Sequence, residues 1–171
     1  MRLLIVAMIA MLSGTMFAAA DDVPARKPGL WEVKTSIGSS AQSLTMKVCI
    51  DAATDQLMQP IAGPFSAQVC PKRSIQRADG TITIDSTCSV AGKTATARAV
   101  VTGSFDSSYT MTVTAQGAAL PTNVSMTVDA KWLGACAEGQ KPGDMMMGNG
   151  MTVNLLDLQK NATSPSPLPS R

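Results

Sequence analysis

Chemistry-bearing side chains are few in this 171-residue chain, and four of them are cysteines: Cys49, Cys70, Cys88 and Cys136. Cysteines can ligate a metal, attack as thiolates or pair as disulfides. A zinc site draws on closely spaced Cys and His. Here no C-x-x-C pair occurs and the chain holds no histidine. The lack of histidine also removes Ser-His-Asp and Cys-His nucleophilic centres. No nucleotide-cradling Gly-rich motif and no G-x-S-x-G elbow is present. Paired carboxylates could still do acid–base work, and Asp51 and Asp55 are close in sequence. Their simpler roles are a helix cap and a solvated first helical turn. An enzyme is therefore not expected, nor a cofactor.

Methionines are the next group. Met145, Met146, Met147 and Met151 lie in a Gly-rich stretch, and thioethers are soft ligands suited to Cu(I). The competing reading is a flexible apolar segment that lies across a sheet and fills gaps. Trp31 and Trp132, with Met111 and Met126, could line a site for an apolar ligand, or simply seal a core.

The amino-terminal segment sets the compartment. Arg2 precedes an almost unbroken apolar run from Leu3 to Leu12, and Ala18-Ala19-Ala20 supplies a small-residue cleavage pattern. This reads as a secretory signal peptide over 1–20, cleaved after Ala20, with no later transmembrane segment. The product is expected in the periplasm, where an even number of cysteines oxidises to disulfides. The formal charge of +2 includes Arg2, and no basic run extends beyond Lys72-Arg73. A nucleic-acid partner is thereby excluded.

The elements that must position these groups read as strands. Val124, Met126, Val128, Ala130 and Trp132 alternate with Ser125, Thr127, Asp129 and Lys131. Tyr109 to Gln116, Thr94 to Val101 and Leu44 to Ile50 alternate similarly, with a short run at Trp31 and Val33. Asp51 can cap a short helix over 51–59, which Pro60 ends. The expectation is an all-β domain over 21–160, mainly antiparallel: about seven strands in a meander forming a curved sheet or partly open barrel, with a two-sheet sandwich as fallback. Residues 161–171, rich in Pro and Ser, are expected to form a disordered tail.

Turn chemistry bears on the cysteine pairing. If Ala78-Asp79-Gly80 form a three-residue loop, Arg77 pairs with Thr81, Cys70 faces Cys88 and Arg73 faces Asp85. A two-residue Asp79-Gly80 loop shifts the ladder by one and pairs Ile75 with Ile84. The first is preferred, giving Cys70–Cys88 and leaving Cys49–Cys136.

Lys27-Pro28-Gly29-Leu30-Trp31-Glu32-Val33, Val48-Cys49-Ile50-Asp51, the hairpin flanked by Cys70 and Cys88, Trp132-Leu133-Gly134-Ala135-Cys136 and Lys141-Pro142-Gly143-Asp144 follow one another in order. In this order, over about residues 26–144, the chain resembles the domain-of-unknown-function family 3617 of exported Gram-negative bacterial proteins. The resemblance implies a periplasmic β domain with paired cysteines and carries no catalytic residues. The functional expectation is a non-enzymatic binding module for an apolar or envelope-derived ligand or a protein partner. The alternatives are an inhibitor of an envelope enzyme, docking through the loop Gly103 to Ser108, and Met-based Cu(I) binding.

Overall fold

The computed structural model describes residues 23–38, 43–58, 69–120 and 122–163. The expected signal peptide and its cleavage point lie outside them, as does the chain beyond Thr163.

Among the described residues, nine strands form one open antiparallel sheet in the order β3-β4-β5-β6-β7-β1-β2-β8-β9. In chain order these are β1 (Gly29–Ile37), β2 (Ser43–Ile50), β3 (Lys72–Ala78), β4 (Thr81–Val90), β5 (Lys93–Ser104), β6 (Ser108–Gly117), β7 (Val124–Gly134), β8 (Asp144–Met147) and β9 (Thr152–Asn154). The helices are α1 (Ala52–Met58) and α2 (Leu155–Thr163). The all-β expectation holds. Strands β3 to β7 are a meander, but the sheet as a whole is not. β1 inserts between β7 and β2, so the chain must pass from β2 to the far edge before β3 begins.

The alternating residues produce one continuous apolar face. Trp31 and Val33 on β1 face Trp132 and Ala130 on β7 and Val48 and Met46 on β2. The same face continues through Val128, Met111, Val101 and Ile84 across the meander. Trp31, Val48 and Ile84 are fully buried. Thr94, Thr96, Thr110, Thr112 and Thr114 take the opposite face, which suits β-branched side chains against water. There Arg98 grips Asp85 through Nε and Nη2, at 2.7 and 3.1 Å.

The β3–β4 hairpin corrects the preferred register. Ala78 pairs with Thr81 and Ile75 with Ile84, so Asp79 and Gly80 alone form the loop. Both have positive φ, 51° and 73°. This is the two-residue turn whose twist matches the flanking strands. The register also puts Ile75 and Ile84 together on the apolar face, which the three-residue loop would not do. Ser74, not Arg73, therefore opposes Asp85. Pro71 has no N–H to donate, and the ladder ends at Lys72. Cys70 still reaches Cys88, with their Cα atoms 3.8 Å apart.

Three further elements go beyond the expectation: β8, β9 and α2. The Met-rich stretch forms β8, an added strand beside β2, with Met145 opposite Val48 and Met147 opposite Met46. Helix α2 continues past Lys160, the expected end of the folded body. Its start carries a recognisable signal: Asn154 Oδ1 accepts from Leu156 N at 2.9 Å, and Asp157 stands in the first turn.

Candidate functional site

Among the described residues, the apolar face is incompletely filled. A cavity of about 250 Å³ lies against its middle. Val33 and Met46 from β1 and β2, Met111, Met126 and Val128 from β6 and β7, and Ile84 and Val101 from β4 and β5 form its sheet wall. Val23, Arg26, Met58 and Phe105 line it from outside the strands. For scale, a dry apolar cavity of about 150 Å³ takes up benzene, and drug-sized pockets begin at about 300 Å³.

One end of this cavity is polar. Arg26 Nε donates to Asp55 Oδ1 at 2.6 Å, and the backbone N–H of Arg26 donates to Oδ2 at 2.9 Å. The two side chains are 7% and 0% exposed. Asp55 is thus no solvated first-turn carboxylate. Its partner lies 29 residues earlier, so nothing local in the sequence marks it. Helix α1 holds Asp55 in place through its cap. Asp51 Oδ1 accepts from Thr54 N at 2.8 Å, while Thr54 Oγ1 accepts from Asp51 N at 2.9 Å. The Thr54 backbone N–H foremost, and then the Thr54 hydroxyl, which donates to Oδ1 at 2.8 Å, hold the Asp51 carboxyl below its ordinary value.

Tyr109 stands beside the pair. Burial pushes its phenol up, with the nearby Arg26 charge opposing and the Asp55 charge adding. Phe105 stacks on the ring at 4.8 Å between centroids, and Trp31 is tilted against it at 5.8 Å. The loop Gly103 to Ser108 therefore turns its one large side chain, Phe105, into the cavity wall.

The amino-terminal segment before β1 is laced across this end. Lys27 N donates to Phe105 O at 2.8 Å, and Trp31 Nε1 donates to Lys27 O at 2.8 Å. Trp132 Nε1 donates to Pro28 O at 3.1 Å, and Lys27 Nζ sits 3.7 Å over the Trp132 ring. Gly29 is required here. Its φ is +133°, and a Cβ would meet the Gly134 carbonyl and come within 2.6 Å of Trp132 Nε1. A bulge between Leu30 and Trp31 lets Leu133 swing outward, 42% exposed.

Of the residues singled out for an apolar ligand, Met111 and Met126 line the cavity. Trp31 is fully buried behind it, and Trp132 is occupied with Lys27 and Pro28. The methionines considered for copper do not converge. Met145 packs on the Trp31 cluster and Met147 shares its face opposite Met46, but Met146 takes the other face opposite Lys47, and Met151 is 54% exposed before β9. The cysteines stand as Cys49–Cys136 and Cys70–Cys88, at disulfide distance. Arg26, Asp55, Tyr109 and Phe105 were not singled out as a site. Only the topology brings them together.

No helix among the described residues is long and apolar enough to cross a membrane. Neither the curated proteins nor the solved structures contain a match. A family described as "Protein of unknown function (DUF3617)" matches residues 26–136. The matched span starts at Arg26, the residue that pairs with Asp55, and ends at Cys136, the disulfide partner of Cys49. Strands β1 to β7, helix α1 and both cysteine pairs fall within it, and this chain belongs to the DUF3617 family.

Proposed function

We propose that this protein is a non-enzymatic periplasmic binding module that holds a small apolar ligand on the apolar face of its sheet. The observation that carries the reading is the cavity of about 250 Å³, with its Met- and Val-rich wall. Burying an apolar ligand there removes its surface from water at roughly 25 cal/mol per Å². Flexible methionines such as Met46 and Met126 let the wall adapt to the occupant. A chain without histidine, whose cysteines are paired, offers little for covalent or acid–base chemistry. An exported location agrees with the two disulfides.

The test is native mass spectrometry of protein purified from its own envelope fraction, alongside titration with the fluorescent apolar probe N-phenylnaphthylamine. A mass adduct that organic extraction removes, and saturable probe binding that Val128→Phe abolishes, are the expected results. Absence of both adduct and probe binding in the folded protein would overturn the reading.

A further inference from the structure

We infer that the ligand is a neutral amphiphile, a short apolar chain or ring ending in a hydroxyl or carbonyl group, and not a fatty-acid-like anion. The inference rests on the binding reading above and concerns the polar end of the same cavity. Among the described residues that line it, Arg26 is the charged one, and Tyr109 is the phenol beside it, its oxygen hydrogen-bonded to Arg26. A phenol whose oxygen accepts from a guanidinium keeps its O–H as a donor. The matching ligand group is therefore a hydrogen-bond acceptor.

The charge balance then selects among acceptors. Asp55 already meets Arg26 with both carboxylate oxygens, at 2.6 and 2.9 Å, and both side chains are nearly inaccessible. The pair is neutral as a unit. A carboxylate or phosphate entering the cavity would lose its hydration and face the Asp55 charge at short range, with the adjacent cation already matched. A hydroxyl or carbonyl loses far less water and still accepts from the Tyr109 hydroxyl. The remaining described residues of the wall are apolar apart from Thr35, so the rest of the ligand is hydrocarbon. The space admits a short chain or a single substituted ring, and not a two-chain lipid.

The test displaces N-phenylnaphthylamine from the full mature protein with octanol, methyl octanoate and sodium octanoate at neutral pH. Octanol and the methyl ester are expected to compete at least roughly tenfold better than octanoate, the scale of one net hydrogen bond or more. Tyr109→Phe, which keeps the ring against Phe105 and Trp31, is expected to weaken octanol several-fold more than it weakens the apolar probe, which makes no hydrogen bond to the phenol. Octanoate binding as tightly as octanol, or Tyr109→Phe leaving octanol unaffected, would overturn the inference while the binding reading stands. Failure of the probe itself to bind removes both.

Discussion

Arg26 engages both oxygens of Asp55, one through its side chain and the other through its own backbone N–H. A segment that precedes the first strand is thereby fastened to the helix that follows the second. Breaking one partner leaves an uncompensated buried charge. Asp55→Ala is expected to destabilise the fold by about 3–5 kcal/mol, whereas the double replacement Arg26→Met, Asp55→Leu loses much less. Urea unfolding of the three proteins under non-reducing conditions checks this. Equal losses in the single and double variants would refute it.

The two cysteine pairs close loops of different size, with sequence separations of 87 and 18. On chain entropy alone, removing Cys49–Cys136 is expected to cost about 4.5 kcal/mol and removing Cys70–Cys88 about 3 kcal/mol. Denaturant midpoints of the paired Cys→Ser variants measure the difference, and the reverse order would count against it.

Gly29 separates crowding from conformational strain. Gly29→Ala meets the Gly134 carbonyl and the Trp132 ring nitrogen, while Gly38, with φ +62°, has open space around a Cβ. Gly38→Ala is expected to cost about 1–2 kcal/mol from the left-handed backbone alone. Gly29→Ala should cost clearly more and should alter the Trp132 environment. Thermal melts paired with tryptophan fluorescence read out both effects.

Acid sensitivity follows from the α1 cap. The Asp51 carboxyl is held below 3.8 by the bonds it accepts, first from the Thr54 backbone N–H. A depressed carboxyl binds its proton more readily when unfolded. Its stabilisation is fully present above the unfolded value of about 4 and is lost as pH falls through the folded one. Asp144, held down chiefly by the Lys141 backbone N–H, and Asp85, held down by Arg98, weaken in the same window. The informative quantity is therefore a difference. Between pH 5 and acid, Asp51→Asn is expected to lose less stability than the unsubstituted protein, as urea midpoints will show. Identical acid slopes would argue against the cap as their source.

Much of the fold was legible because strand alternation is a local property. The faces of β5, β6 and β7 can be read directly from Ala97, Ala99, Val101, Met111, Val113, Met126 and Val128. The hairpin register depended on which of two loops formed, and Ile75 opposite Ile84 decided it. The insertion of β1 beside β7 was not legible, because Trp31 carries no mark of pairing with Trp132. The site followed suit. Met111 and Met126 could be named from alternation, but Asp55 reads as an ordinary helix residue until Arg26 is brought to it. Phe105 sits in a stretch that composition assigns to an exposed turn. The Asn154-x-x-Asp157 cap was available in the sequence and gives the start of α2.

The position of β1 between β2 and β7 has a consequence for the order of assembly. A chain that emerges amino terminus first can form the β1–β2 hairpin early, yet one edge of β1 stays bare until β7 arrives. Over that interval Cys49 is without Cys136, while Cys70 and Cys88 are already within reach. Sheet closure and correct oxidation therefore hinge on one late strand, which also carries Val128 and Ala130 into the core. Long-range pairing of this kind slows folding. A truncation just before Val124, which removes both β7 and Cys136, is accordingly expected to collect Cys49 mispaired with Cys70 or Cys88.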